Sequence, residues 1–193
     1  MLTWILLGLV AAVVLLLVVI AVRPADFRIE RSTAIAAPPG AVMELIEDFH
    51  QWSRWSPWDK MDPTQVVTIG GAPRGTGATY NWVGKKNGEG RMEIIEHRPN
   101  ELVGIQLDFL KPFPSHNRCD FMMHHAHGGT HVVWRMTGTN NFMAKGFDLF
   151  MDMDKMLGRD FEKGLAALKV EAEGATGGPA AAGTSASGTR APA

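Results

Sequence analysis

The sequence predicts an α+β domain, one antiparallel sheet packed against a long helix, with a separate apolar helix in front of it. Three observations predict this class. An uncharged apolar run covers residues 2–22, segments of alternating apolar and polar residues fill the middle of the chain, and an amphipathic pattern covers about residues 145–170. A two-residue period is typical of strands with one buried face, and a 3.6-residue period of helices. One sheet with helices on one face is the α+β arrangement.

The apolar run Leu2–Val22 is long enough to cross a bilayer. At roughly 1.5 Å per residue it matches a hydrocarbon core about 30 Å thick. A cleaved signal peptide would need a basic start and a small-x-small cleavage site, and neither is found around this run. Arg23, Arg28 and Arg31 follow the run and no basic residue precedes it. The positive-inside tendency therefore predicts a single-pass anchor with the domain on the cytoplasmic side of the membrane.

Composition limits which partners, cross-links and domains are expected in the rest of the chain. The net charge of −1 gives no reason to expect a nucleic-acid partner, and the single Cys119 excludes an internal disulfide. Residues 174–193 contain only Gly, Ala, Pro, Ser and Thr apart from Arg190, which predicts a disordered tail. One domain of ordinary size is expected at residues 26–171.

The sequence of this domain predicts a first strand, two short helices and then a series of strands. Phe27–Ile35 alternates as a first strand, and Pro39 is well placed in the first turn of a helix that continues to Phe49. A second short helix is expected at Gln51–Trp55, where Pro57 ends it. Five or six further strands are predicted, separated by turn signals such as Asn87-Gly88, which gives a sheet of six to seven strands. The candidate strands are Thr64–Ile69, Ala78–Gly84, Gly90–His97, Leu102–Leu110, Asn117–His127 and Thr130–Thr139.

The last element, about Lys145–Val170, is predicted to be one continuous helix. At 100° per residue its apolar side chains fall within one arc of roughly 120°. Asp154 lies inside the same arc and breaks the pattern. The apolar members of the arc are Phe147, Phe150, Met151, Leu157, Phe161, Leu165 and Leu168.

Several separated motifs resemble the polyketide-cyclase-like branch of the START-related, or SRPBCC, superfamily. They cover about Asp26–Glu171 and occur in the order that the family shows. The resemblance implies a helix-grip fold, in which a curved antiparallel sheet wraps around the C-terminal helix, and an apolar cavity that holds one small molecule or lipid. The motifs are Phe49–Trp58 (FHQWSRWSPW), Gly77–Gly84 (GATYNWVG), Gly88–Ile94 (GEGRMEI), Phe109–Asn117 (FLKPFPSHN), Val133–Phe142 (VWRMTGTNNF) and Phe147–Lys169.

Alternation predicts which side chains would line this cavity. Met and aromatic residues suit an adaptable apolar pocket, although they would fill an ordinary packed core equally well. The predicted strand residues are Tyr80, Trp82, Met92, Ile94, Ile105, Leu107, Phe109, Val132, Trp134 and Met136. The predicted helix residues are Phe147, Phe150, Met151, Asp154 and Leu157.

Asp154 is the sharpest polar candidate in this set. A carboxylate in an apolar arc must find hydrogen bonds or shift its pKa upward. Arg31 falls on the inner face of the first strand and is a possible ion-pair partner. Asp154 is therefore interpreted either as a group that orients a polar part of the ligand or as half of a structural ion pair.

The remaining patterns are open to simpler interpretations. Trp52, Trp55 and Trp58 suit either a membrane interface or the packing of the short helices on the sheet. The cluster of His124, His125, His127 and His131 predicts a solvated hairpin tip with no functional metal. Glycine-rich phosphate loops and a Gly-x-Ser-x-Gly frame do not occur, so no cofactor is expected.

The sequence therefore favours a non-catalytic, membrane-anchored binding module for a lipid or another hydrophobic small molecule. A cyclase or dehydratase type of enzyme that uses Asp154, Tyr80 or His125 for acid–base chemistry is the first alternative. An adaptor whose domain binds a protein is the second.

Overall fold

The computed structural model describes residues 1–126 and 128–177, and no position is given for the Phe150 side chain. Helix α1 (Leu2–Val22) is followed by strand β1 (Asp26–Ile35) and by α2 (Pro39–Glu47), α3 (Trp52–Trp55) and α4 (Trp58–Met61), with a 3₁₀ turn at Phe49–Gln51. Six strands come next, β2 (Val66–Gly71), β3 (Ala78–Val83), β4 (Glu89–Arg98), β5 (Leu102–Lys111), β6 (Ser115–Ala126) and β7 (Gly129–Thr139). Helices α5 (Phe142–Phe150) and α6 (Met153–Ala175) complete the described elements.

The seven strands form one curved antiparallel sheet in the order β1-β7-β6-β5-β4-β3-β2. Strands β2 to β7 are joined as successive hairpins, whereas β1 pairs with β7. The predicted α+β helix-grip architecture, with short helices after the first strand and a long C-terminal helix, is confirmed, and α4 is a further short helix where two were predicted. The alternation along each strand gives the sheet one apolar face, here called the inner face, which packs against α2, α3 and α6.

Helix α6 is held on the inner face by apolar residues three or four positions apart. Phe161, Leu165, Leu168 and Ala172 are all buried, while residues on the opposite side of the helix are exposed. This spacing places one side chain per turn toward the sheet. The helix contacts β1, α2 and α3 most extensively.

The C-terminal helix predicted for residues 145–170 is interrupted in the structure. Helix α5 ends at Phe150 and α6 begins at Met153. The Asp152 carboxylate accepts a hydrogen bond from the backbone N–H of Lys155 at 3.0 Å, so Asp152 caps a new helix start. Helix α6 then continues to Ala175, into the first residues of the predicted disordered tail, and residues 178–193 of that tail lie outside the described residues.

Helix α1 stands apart from the core of the domain. It has a mean hydropathy of 3.4 and only 6% of it is buried, which makes it long and apolar enough to cross a membrane. Its last turn contacts α5. The end of the sheet that adjoins α1 is called the proximal end below. It carries the start of β1, the β3–β4 turn, the β5–β6 loop and the end of β7.

Candidate functional site

The structure brings together all ten strand residues that were expected to line a cavity. They lie on the inner face, where Tyr80 is opposite Met92 and Met92 is opposite Leu107. Nine of the ten are buried, and Phe109, near the proximal end of β5, is partly exposed. The inner face is therefore a continuous apolar surface.

The five expected helix residues do not stay together. Phe147 lies on α5 and Met151 in the break between α5 and α6, and both are half exposed. Leu157 packs against the core, and Phe150 is the last residue of α5. The interruption at Met151–Asp152 separates α5 from the helix that covers the sheet. The prediction that these residues lie on one continuous helix is therefore wrong, and they do not share one environment.

An aromatic cluster fills the middle of the space between α6 and the sheet. The Trp134 ring stacks on Phe161 with centroids 4.2 Å apart, and lies 4.7 Å from Phe121 and 5.8 Å from Trp55. The indoles of Trp52 and Trp55 donate hydrogen bonds to the carbonyls of Ile46 and Leu45. Both rings are buried, so these tryptophans pack the short helices and do not contact a membrane.

The inner face becomes more accessible toward the proximal end. Ile94 and Ile105, near mid-strand, have no accessible surface, whereas Met92 and Leu107 are 9% and 8% exposed. Phe27, Phe109 and Leu157 are partly exposed, although each packs against the core. The apolar surface between sheet and helix is thus fully buried at its centre and partly exposed toward the proximal end. The three partly exposed side chains, Phe27, Phe109 and Leu157, are together called the mouth below.

One polar group buried in the aromatic cluster lacks a conventional hydrogen-bond partner. The Trp134 indole N–H has no oxygen or nitrogen acceptor within the described part of the chain, and the Cys119 thiol lies beside it. Burial raises the pKa of Cys119 to about 12, so the thiol stays protonated and is a poor nucleophile. A buried unpaired donor is a natural partner for an acceptor on a bound molecule.

A polar cluster that the sequence did not reveal borders the inner face beside β3. The Tyr80 hydroxyl donates to Asp59 Oδ1 at 2.9 Å and accepts from the Gln65 amide at 3.3 Å. The Asn87 amide donates to Gln65 at 2.7 Å. Burial, followed by the negative charge of Asp59, raises the pKa of Tyr80. Tyr80 is therefore a hydrogen-bond donor rather than a base. The other members of the cluster, Asp59, Gln65 and Asn87, come from a short helix, a loop and a turn, where no periodicity in the sequence indicates them.

The predicted partnership of Arg31 and Asp154 is present. Arg31 Nη2 lies 3.0 Å from Asp154 Oδ2, and Arg31 Nε lies 2.9 Å from Glu162 Oε1. The guanidinium lies against α6 at Gly158, where an added Cβ would overlap it. The hydrogen bond that Arg31 donates to the Asp154 carboxylate is the largest cause that raises the pKa of Arg31. The Asp154 side chain is 54% exposed in the first turn of α6, so its observed contact is a link between β1 and α6.

The three residues considered for acid–base chemistry, Tyr80, Asp154 and His125, lie in different parts of the domain. Tyr80 bonds to Asp59, Asp154 bonds to Arg31, and His125 is exposed near the β6–β7 hairpin tip. His124 and His131 are opposite each other across that hairpin, and His127 lies outside the described residues. Among residues 1–126 and 128–177, no three His, Cys, Asp or Glu side chains are placed to hold a metal ion.

A shallow groove of about 620 Å³ lies mainly on the outer face of the sheet. Arg28 and Arg118 line it, and both are engaged by carboxylates. Arg28 bonds to Glu30 at 2.6 Å, and Arg118 bonds to Asp120 at 2.8 Å. None of the expected cavity residues lines this groove. Its charges are already paired, so it offers a weaker site than the apolar inner face.

The β3–β4 turn at the proximal end is fixed by a buried carboxylate. Asp62 Oδ1 accepts from the hydroxyl of Thr64 at 2.6 Å, and Oδ2 accepts from the backbone N–H of Lys86 at 2.6 Å. The hydrogen bond from the Thr64 side chain, followed by that from Lys86, holds the pKa of Asp62 well below its ordinary value.

Asp62→Asn is expected to lower the free energy of unfolding at pH 7, and the difference from the wild type is expected to shrink progressively as pH falls below about 4. The folded-state pKa of Asp62 is depressed, so its contribution is fully present above the unfolded value of about 3.9 and is lost as pH falls from there through the lower folded-state pKa. Urea unfolding of both proteins across this range measures the difference. A difference that stays constant with pH would contradict this assignment.

Comparison with known proteins agrees with this architecture. The family model described as polyketide cyclase / dehydrase and lipid transport matches residues 26–173. No curated protein sequence is significantly similar to the chain.

Solved structures match the same region of the chain. Protein CV1439 from Chromobacterium violaceum superposes with a TM-score of 0.55 at 15% identity, covering 78% of this chain and 99% of its own. The di-domain ARO/CYC StfQ from the steffimycin biosynthetic pathway gives 0.57 at 11% identity over 79% of this chain, which spans 52% of StfQ. Ara h 8.0201 gives 0.55 at 12% identity, covering 77% and 99% of the two chains. These likenesses show the fold, and the family match over residues 26–173 shows that the chain belongs to the polyketide cyclase / dehydrase and lipid transport family.

Proposed function

We propose that this protein is a membrane-anchored binding module that holds a lipid or another hydrophobic small molecule on the inner face, at its proximal end. The increase in accessibility from the closed aromatic centre to the mouth is the observation that carries the proposal. The family, whose description includes lipid transport, supports the same class of ligand. The Trp134 N–H would orient an acceptor group of the ligand.

The anchor is the second part of the proposal. Helix α1 would span the membrane at residues 2–22, and residues 26–171 would form the binding domain on the cytoplasmic side. Only Arg23, Pro24 and Ala25 separate α1 from β1. Three extended residues reach about 10 Å, so the proximal end would stay close to the lipid headgroups. The mouth would then face the phase in which such ligands dissolve.

Phe109→Glu tests the ligand site, with Leu110→Glu as its matched control. Phe109 lies on the inner face and its ring packs edge-on to Trp82, whereas the neighbouring Leu110 is exposed on the outer face. Each variant adds the same charge to the same strand. Burying apolar surface contributes roughly 25 cal/mol per Å², so a charge at the mouth should reduce occupancy about tenfold or more.

The measurement uses the full chain purified in mild detergent, with native mass spectrometry and analysis of the extracted small molecules. A lipid-like molecule that copurifies intact with the wild type and with Leu110→Glu, but not with Phe109→Glu, is the expected result. Equal amounts in all three proteins, or none in any, would overturn the ligand proposal.

A cyclase or dehydratase activity is the second candidate, and the Tyr80–Asp59 hydrogen bond favours it. A substrate carbonyl oxygen that displaced Asp59 as the acceptor could receive the single Tyr80 O–H proton in a hydrogen bond. Recovery of a chemically altered small molecule, lost in Tyr80→Phe, would support this activity. An empty domain that retains a stoichiometric protein partner would support an adaptor.

A further inference from the structure

We propose that α5 and the β5–β6 loop form a second membrane contact, which lies on the surface of the leaflet from which α1 emerges. The inference rests on the proposed anchor and goes beyond it, since a single span leaves the orientation of the domain free. Four exposed side chains make up the contact, here called the proximal apolar surface. They are Phe113, Phe142, Met143 and Phe147.

Helix α5 is tied to the last turn of α1. The Lys145 ammonium donates to the carbonyl oxygens of Ala21 and Arg23, each at 3.0 Å. These carbonyls end a helix and lack intrahelical partners, so a cation is well suited to them. Arg23 also lies 3.8 Å from Asp148 of α5. If α1 spans the bilayer, α5 is therefore held at headgroup level.

The proximal apolar surface combines two distant parts of the chain. Its members are between 49 and 61% exposed, although all are large apolar residues. The ring of Phe113 in the β5–β6 loop lies 5.8 Å from that of Phe147 on α5. Exposed apolar side chains that cluster in this way mark an interaction site.

The charges beside this surface suit a lipid bilayer. Lys85 and Lys86 are exposed on the β3–β4 turn, which packs at Gly88 against the Lys111 backbone and the Pro112 ring, next to Phe113. A basic side chain near an anionic membrane surface strengthens binding by about fivefold. An apolar strip flanked by lysines is typical of helices that lie in the interface.

The continuity of the surface with the end of α1 selects lipid as its occupant. A second copy or a protein partner would have to approach through the headgroup layer that surrounds α1 at this level. A bilayer already occupies that position in the anchored protein. Insertion of Phe113 and Met143 would also fix the mouth toward the membrane, because β5 carries Phe109 four residues before Phe113.

Spin labels on introduced cysteines test the proposal in the full chain, reconstituted into nanodiscs with a 3:1 mixture of phosphatidylcholine and phosphatidylglycerol. Met143→Cys and Phe113→Cys report the surface. Val170→Cys is the matched control, because Val170 is exposed on α6 near the end of the sheet opposite the proximal end. Gly8→Cys reports the insertion of α1. Cys119 is buried, so labelling is confined to the introduced sites.

Collision with oxygen, which dissolves in lipid, is compared with collision with a water-soluble nickel chelate. Labels at 143 and 113 are expected to favour oxygen severalfold more than the label at 170 does. Equal ratios at 143, 113 and 170, with the label at 8 in lipid, would overturn this inference and leave the anchor intact. A label at 8 that is open to nickel would overturn the anchor and this inference together. Neither result affects the Phe109→Glu test, which is made in detergent.

Discussion

Replacement of Trp134 by alanine is expected to reduce the free energy of unfolding by about 3–5 kcal/mol, the usual range for a buried tryptophan truncated to alanine. Trp134 is 2% exposed, and its ring contacts Phe121 from β6, Trp55 from α3 and Phe161 from α6. Its loss would leave a cavity where three elements meet. The surrounding rings are fixed by their own contacts and can only partly collapse into it.

Urea unfolding followed by tryptophan fluorescence in detergent measures this effect. Phe113→Ala is the control, because Phe113 is exposed and its removal is expected to change stability by less than about 0.5 kcal/mol. If the two variants were equally stable, the aromatic cluster would not be the centre of the core. Retention of ligand by a folded Trp134→Phe variant would show that the indole N–H is dispensable for binding.

Gly90→Ala is expected to destabilise the domain by about 2–3 kcal/mol through overpacking. A Cβ at this position would overlap the Trp82 ring and lie 2.7 Å from the carbonyl oxygen of Asp108. The Trp82 ring cannot simply withdraw, since its indole donates to the Asn87 carbonyl at 3.1 Å and its face packs against Phe109. Displacement of Trp82 would also disturb the mouth, so ligand occupancy is expected to fall.

Gly40→Ala provides the matched control for an added methyl group. Gly40 lies in the first turn of α2, where the nearest atom to a new Cβ is Asn100 Oδ1 at 3.5 Å. Alanine has the higher helix propensity, so this variant is expected to be as stable as the wild type or slightly more stable. A Gly90→Ala protein with an unchanged urea midpoint would show that β3 and β4 can separate without cost.

The sheet was predictable because its signal is local. Alternation along β3, β5 and β7 placed Tyr80, Leu107 and Trp134 on one face, and the register of the hairpins confirms that they share it. Turn residues such as Asn87-Gly88 located the hairpin ends, since a glycine at positive φ is favoured there. Each of these inferences needs only a few neighbouring residues.

The interruption between α5 and α6 was missed although a signal for it exists. Asp152 is a good N-cap residue, and its side chain caps α6. The 100° apolar period nevertheless continues across Asp152, so that period alone predicts an unbroken helix. The 100° period therefore predicts one arc for Phe147, Met151 and Leu157, whereas the structure divides them between α5, the break and α6. The contact of Lys145 with Ala21 joins residues 124 positions apart, and no local pattern encodes it.

The pairing of β1 has a consequence for the order in which the molecule assembles. Strand β1 follows the apolar helix directly, yet its partner in the sheet is β7, about a hundred residues later. If α1 spans the membrane as proposed, it would enter the bilayer during synthesis long before β1 forms its hydrogen bonds with β7. Such long-range closure is intrinsically slow. The segment nearest the lipid is then the last to be locked into the sheet, and a nascent chain arrested before residue 130 would leave β1 as an unpaired edge beside the membrane.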